Sequence, residues 1–380
     1  MKVFFLAPNT YLARHFMLGW QRAFEALGHE FVHLDPAKEE PNLHITGTAP
    51  LIMVAGGEGL LSLDKEKLNL LEARVLYNGL PSNPEGASFD PHTPLADPKE
   101  LDFLADLKHK LCFSQHEPPY LEAFYSGYQN RGIQCLYLPY AADLTQMGLW
   151  EFKENPDYDL VFVGNLAHRK KGNLEPLKAI FAGLDPKRVA IYGDQEWEKE
   201  FGIKTSLLSG DVDWAGLYQN AAIALNLHSY RQKRRMIQVN DRCFHIPLYG
   251  GFELCDHPLA GKFFGPDEMA IAAAPGHLVE LFFYFLKNPT ERQEQIERAR
   301  ARVANDHSYF SRIAALWSAL GFKEKVIWEG VEYTEPVFEA GPARPIGAKA
   351  LLLAKAETWV YQKGRVVRSH LKKGQTRQPS

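Results

Sequence analysis

A succession of short, unbroken apolar runs, each closing on a glycine, a proline or a polar turn, limits this chain more than any other feature. Residues 3–7, 30–34, 51–55, 74–77, 111–114 and 134–138 read this way in the first 140 positions. Between them lie segments with helical spacing, such as residues 16–27, which stop at Gly28. Strands that are apolar throughout are covered on both faces, and alternation with helices makes their sheet parallel. Residues 80–98, rich in Pro, Ser, Asp and Gly, read as a long loop, and residues 141–158 as a crossover. A second series follows. It places strands at residues 159–163, 188–192, 221–227 and 246–249 and helices at 174–182, 214–220, 278–286 and 290–305. The last of these alternates acids with bases, as a solvated helix face does. The chain has no internal repeat, so the expectation is two α/β lobes of similar architecture.

A length of 380 residues fits two domains and needs no staples. Net charge is −3, which gives no general attraction to nucleic acid. From Arg344 onward, however, nine Lys or Arg stand against one Glu. The four cysteines, Cys112, Cys135, Cys243 and Cys255, form no C-x-x-C pair, and no Cys/His grouping has zinc spacing. Scattered single cysteines fit a reducing cytosol. The amino terminus lacks a signal-peptide core, and no apolar run approaches the roughly 20 residues that span a bilayer. A soluble, cytoplasmic protein is expected.

In open α/β sheets, ligands bind beyond the carboxyl ends of the strands. Four strand ends of the second series matter on that rule. The first runs Val163-Gly164-Asn165-Leu166-Ala167-His168-Arg169-Lys170-Lys171-Gly172. A glycine, loop amides, a helix start and three consecutive cations favour an anion, although the same loop also reads as a surface turn. It is not a P-loop, and no Gly-x-Gly-x-x-Gly follows any strand. The second is Tyr192-Gly193-Asp194, an aromatic and a glycine suited to a base or ribose. The third carries Asn226 and His228. The fourth places Arg242 and His245 before Gly250-Gly251, where missing side chains would let a diphosphate approach backbone amides. Asp211-Val212-Asp213 could bind a metal but precedes a helix at Trp214, where Asp serves as an N-cap.

In their order, these elements resemble the CgeB-like glycosyltransferases of the GT-B fold, a branch related to the group-1 transferases. The resemblance rests on residues 161–165 with Arg169, Ile191-Tyr192-Gly193, residues 218–226, Arg242-Cys243-Phe244 with Gly250-Gly251-Phe252, residues 283–292 and residues 302–309. A weaker match is Phe113-Ser114 with residues 137–143, so roughly residues 100–320 are covered. The resemblance implies two Rossmann-like lobes facing a central cleft. Residues 1–145 would form the acceptor lobe and 146–325 the donor lobe, with a C-terminal helical extension at 326–380. It implies a hexosyltransferase-like enzyme that uses a nucleotide-diphosphate sugar. The diphosphate would lie near Gly164, Arg169, Lys170 and Gly250-Gly251. The nucleoside would lie near Tyr192, Gly193 and Asn226, with Arg242 matching the family's arginine and Asn165 and His228 also among the donor-binding residues. The family usually places Glu where this chain has His245, and a neutral imidazole supplies no fixed carboxylate. A degenerate, non-catalytic nucleotide- or sugar-binding protein is therefore the alternative.

Such transferases need no metal, because basic side chains and helix ends neutralise the leaving diphosphate. The acceptor, a protein, glycan or lipid, would sit on the first lobe near Asn9, His15, Glu58, Asn78 or His116. His116 best fits a general base by type and place. Residues 346–371 read as a helix that packs back on the protein or lies peripherally on an anionic membrane.

Overall fold

The computed structural model describes residues 1–9, 11–82, 95–206, 212–235 and 237–336, without the side chains of residues 11–16, 231, 234 and 235. The basic extension from residue 337 onward and most of the 80–98 loop lie outside the described residues. So do His15's side chain and Asp211. The chain divides into two compact units. Residues 1–146 join residues 305–336 in the first, and residues 147–304 make up the described part of the second.

The first unit holds a parallel sheet of β1 (Lys2–Leu6), β2 (Glu30–Leu34), β3 (Leu51–Ala55), β4 (Arg74–Asn78), β5 (His109–Ser114) and β6 (Cys135–Tyr137), in the order β2-β1-β3-β4-β5-β6. Central strands are buried almost throughout, whereas the edge strands β2 and β6 are half-exposed. Gly28 follows the Tyr11–Ala26 helix at φ 80°, the left-handed turn that only glycine enters without strain.

The second unit repeats the plan with β7 (Tyr158–Val163), β8 (Val189–Tyr192), β9 (Thr205–Ser206), β10 (Ala221–Asn226), β11 (Glu253–Cys255) and β12 (Ala270–Ile271), ordered β12-β11-β10-β7-β8-β9. Alternate residues of β7 enter two cores. Leu160 and Phe162 pack with Leu177, Trp197, Leu281 and Phe282, while Val161 packs with Tyr218 and Ile246. Every residue of β10 is buried.

Two expectations are corrected here. Residues 246–249 are not a strand; they end the Arg242–Leu248 helix, and the strand comes later, at Glu253–Cys255. Pro247 lacks the N–H that a strand inside this sheet must donate, and here it is the penultimate residue of a short helix. Second, residues 305–325 belong to the first unit, not to the donor lobe. There Ala142 N–H donates to His307 O (2.8 Å), and Tyr309 N–H donates to Ala142 O (3.0 Å). Ser308 caps the Tyr309–Ala319 helix by accepting from Ser311 N–H. That helix packs on Tyr11–Ala26 through Trp20–Tyr309 and Phe24–Trp317 ring contacts. Beyond it, β13 (Val326–Trp328) and β14 (Val331–Tyr333) form an antiparallel hairpin. No described helix is long and apolar enough to cross a membrane.

Candidate functional site

In the second unit the chain lays down β7, β8 and β9 in one direction and then crosses to β10 on the other side of β7. The carboxyl ends of β7 and β10 therefore mark the switch point at which ligands enter such sheets. Two arginines meet there. Arg242, on the first turn of its helix, donates through Nη1 to Val163 O and through Nη2 to Leu227 O (3.0 Å), which joins the two strand ends. Arg169 donates through Nε to the same Leu227 O (2.7 Å) and through Nη1 to Asn165 O (2.9 Å). Both guanidiniums lie over the Phe162 ring, at 5.9 and 5.5 Å. Among the described residues, all their hydrogen bonds go to backbone carbonyls. An arginine has five N–H donors. Two of each are used here, so about three remain on each; Asp256, Asp241 and Asp194 act on Arg169 from a distance, but no carboxylate is hydrogen-bonded to either guanidinium among the described residues. Burial, and then the Arg242 charge, bring the Arg169 guanidinium down to about 10, which leaves it protonated at neutral pH. An anion is what this pair lacks.

Gly164 makes the approach possible. Its φ is 142°, and a Cβ there would stand 3.1 Å from Arg242 Nη1 and 3.3 Å from Arg169 Nη1. The loop after it is less open than its sequence suggests. Asp194 accepts the amide N–H groups of Leu166 (3.0 Å) and Ala167 (3.2 Å), and Trp197 Nε1 donates to Gly164 O (2.9 Å). These amides hold an internal carboxylate, so anion recognition falls to the two guanidiniums. Gly193 supports the same turn, since a Cβ there would stand 2.3 Å from Gly164 O.

The remaining sequence candidates fall elsewhere. Lys170 pairs with Glu200 and lies 3.9 Å from Glu196, so two carboxylates already satisfy it. Asn165 is exposed, and its carbonyl serves Arg169. Tyr192 borders a hollow of about 310 Å³ on the face of the Trp214–Gln219 helix, with Tyr158 and Leu217. Asp213 caps that helix through Gly216 N–H (2.8 Å), as expected. His245 follows Arg242 by three residues and keeps 19% of its side chain exposed, with Nδ1 4.0 Å from Asp241.

Gly250-Gly251 does not join the phosphate end. The pair precedes β11 and so lies at the amino edge of the sheet, opposite Gly164. Its glycines serve packing. Trp150 Nε1 donates to Gly250 O, and a Cβ on Gly250, whose φ is 79°, would stand 1.9 Å from Trp150 Cδ1. Gly250→Ala is expected to cost about 2–4 kcal/mol from overpacking plus the left-handed backbone. Urea unfolding measures this. Nucleotide affinity of the folded variant should match the parent, and a selective loss of affinity would return the pair to the phosphate site.

Asn226 and His228 are wholly buried in a polar cluster that sequence reading did not assemble. Asn226 Nδ2 donates to Glu253 Oε1 (2.7 Å) and Asn240 Oδ1 (3.0 Å), and Asn240 Nδ2 returns a bond to Asn226 Oδ1. His228 Nδ1 lies 3.0 Å from Asp256 Oδ1, and Lys233 Nζ donates to Asp256 Oδ2 (2.8 Å). Burial alone would lower the His228 pKa, but Cys255 and Asp256 outweigh it and raise it. No Cys/His grouping has zinc spacing along the chain, but three such residues meet in the fold. His228, Cys243 and Cys255, from three separate elements, bring their ligand atoms within 4.8 Å of one another. Spacing along the chain could not reveal this. Period-two alternation in 226/228 and 253/255 was the available signal.

In the first unit, His116 Nδ1 lies 2.7 Å from Tyr125 Oη and 3.0 Å from Ser114 Oγ, at the end of β5. That position is away from the β1/β3 switch point. Asn9 lies at the end of β1, where its N–H donates to Asp35 (3.2 Å). Glu58 lies on the short helix after β3, and Asn78 ends β4.

Residues 169–318 match a family model described as glycosyl transferase-like, which covers most of the described second unit and the first part of the return segment. No curated protein sequence matches the chain. Among solved structures, an E. coli structure described as trehalose-6-phosphate bound with UDP-2-fluoro glucose aligns with a TM-score of 0.50. It is 10% identical and covers 80% of this chain and 95% of its own. The T4 phage BGT complex with UDP and Mn2+ aligns at 0.47 and 12% identity over 84% of this chain and 99% of its own. The S. aureus MnaA–UDP co-structure aligns at 0.43 and 9% identity over 84% and 97%. The fold is GT-B, with two parallel-sheet Rossmann-like units.

Proposed function

We propose that this chain is a group-1-related glycosyltransferase of the CgeB-like branch. It would move a sugar from a nucleotide-diphosphate donor bound in the second unit. The observation that supports this most is the Arg169–Arg242 pair beside Gly164 at the β7/β10 switch point, two guanidiniums with no carboxylate hydrogen-bonded to them among the described residues. The glycosyl transferase-like match over residues 169–318 supports the reaction class.

In this reading the two guanidiniums take the diphosphate oxygens and stabilise the charge that builds as the glycosidic bond to the diphosphate breaks. Fixed guanidiniums carry the role a metal plays elsewhere. They are already held by strand-end carbonyls, so they need little reorganisation when charge develops. His245, three residues from Arg242, is the candidate for a donor hydroxyl, and the acceptor is assigned to the first unit with His116 as candidate base. His245 in place of a carboxylate favours a second reading, a nucleotide- or sugar-binding protein without turnover.

Isothermal titration with a panel of nucleoside diphosphates, followed by donor hydrolysis with each matching nucleotide sugar, tests both. Binding of one diphosphate in EDTA, with slow donor hydrolysis, is expected. Absence of binding by every nucleotide would refute the transferase reading. Binding without hydrolysis across varied acceptors would favour the second.

A further inference from the structure

We propose that the carboxyl ends of β10 and β11 hold a buried site for one zinc-class divalent cation, with His228 Nε2, Cys243 Sγ and Cys255 Sγ as ligands and the Glu253 carboxylate as the fourth. The site is structural. It lies behind the arginine pair and is independent of the transfer reaction.

The geometry comes first. Cys243 Sγ stands 3.9 Å from His228 Nε2 and 4.0 Å from Cys255 Sγ. Zinc bonds of about 2.3 Å to sulfur and about 2.0–2.1 Å to nitrogen, at tetrahedral angles, put sulfurs about 3.8 Å apart and sulfur about 3.5 Å from nitrogen. These two separations already lie within a few tenths of an ångström of those values, and the third pair, His228 and Cys255, lies within 4.8 Å. All three are fully buried.

Glu253 supplies a second, independent observation, although its carboxylate lies outside the 4.8 Å grouping of the other three and has to swing in to complete the tetrahedron. Glu253 is buried on β11, two residues before Cys255 and so on the same face. Its Oε1 accepts from Asn226, but its Oε2 has no hydrogen-bond partner among the described residues. A buried, unpartnered oxygen costs about 1–3 kcal/mol, and more when charged. The Asn226 amide ties this carboxyl to the cluster, 2.7 Å from Glu253 Oε1 and 3.3 Å from Cys243 Sγ. Asp256, itself held by Lys233, stands 3.0 Å from His228 Nδ1. A ligating histidine is oriented in this way, with its other nitrogen donating to a carboxylate. Without a metal, His228 Nε2 accepts from Asn240 N–H (3.0 Å). The cation takes that lone pair, and the N–H turns toward a thiolate. Two thiolates cancel the divalent charge, and the one further negative charge of the Glu253 carboxylate is partly offset by Arg242, whose charge acts on it. Bound there, the ion clamps β10, β11 and the Arg242–Leu248 helix together, and thereby fixes the element that carries Arg242.

The full-length chain, purified in a non-chelating phosphine reductant and passed over a weak chelating resin, is analysed by elemental mass spectrometry. About one zinc per chain is expected. Cobalt exchange should give tetrahedral d–d bands with thiolate charge transfer. Cys243→Ala and Cys255→Ala should lose both signals, while Cys112→Ala and Cys135→Ala keep them. Wild-type measurements decide the matter even if the first two variants fail to fold. Stripping the metal with a strong chelator should lower the melting temperature, and zinc alone should restore it. The proposal is overturned by a folded, reduced wild-type chain that holds neither zinc nor cobalt. It is also overturned by an unchanged cobalt spectrum in Cys243→Ala, or by a Cys243–Cys255 disulfide in freshly isolated protein.

Discussion

Arg242→Gln is expected to lower affinity for the bound nucleoside diphosphate by about 10- to 100-fold. A hydrogen bond to a charged group contributes about 1.5–3 kcal/mol, and each 1.4 kcal/mol is a factor of ten. The substitution removes one of two charges at the switch point and loosens the clamp between Val163 O and Leu227 O. Arg242→Lys keeps the charge but not the planar fork, so it should fall between parent and Gln. Arg169 shares the Leu227 carbonyl with Arg242. Losses in Arg169→Ala and Arg242→Gln should therefore not add in the double variant. Isothermal titration at fixed low salt reads these effects, with a thermal melt alongside to show that each variant is folded. Undiminished affinity in folded Arg242→Gln protein would remove the diphosphate from this position.

The largest stability effect is expected at Arg312. This side chain is fully buried in the first unit, yet it is an arginine. Its Nε donates to Pro139 O (2.8 Å), Nη2 to Tyr140 O (2.8 Å), and Nη1 to Asp306 O (3.1 Å) and Ser311 Oγ (3.3 Å). It therefore ties the returning segment to the strand-end residues that precede the crossover. Burial lowers its pKa to about 9, so it remains charged at neutral pH. Arg312→Met fills similar space but leaves three carbonyls without this donor. A loss of about 3–5 kcal/mol is expected, because each buried carbonyl left without a donor costs about 1–3 kcal/mol. Urea unfolding of the first transition measures it. Trypsin should also cut earlier at Lys323 and Lys325, which the return segment carries. A loss under about 0.5 kcal/mol, the range of an ordinary surface substitution, would mean that the segment is held by its aromatic contacts alone.

The two parallel sheets were legible because their strands are apolar on both sides, a pattern that period and length alone separate from helices. Gly28 as a helix stop and Asp213 as a helix cap were legible for the same local reason: turn and cap chemistry is written in adjacent residues. Residues 246–249 misled because Tyr-Gly-Gly imitates a strand end. Pro247 was the contrary signal. Placing a strand there carried Gly250-Gly251 to the wrong edge of the sheet, and the expected diphosphate contact with it.

Local sequence therefore determined the element types, the apolar faces and the strand-to-loop junction at Gly164, since each depends on neighbours within a few positions. Only the tertiary structure decided which distant residues share a place. Crossing from β9 over to β10 brings Arg169 and Arg242 onto one carbonyl, although 73 positions separate them in the chain. It also buries Asn226 and His228 rather than presenting them to a donor, and it gathers His228, Cys243 and Cys255 into one cluster. It returns residues 305–336 to the first unit through Arg312. The physical reason is the same in each case. Hydrophobic periodicity says which face of an element is covered, whereas strand order and register, set by the packing of the whole sheet, say what covers it.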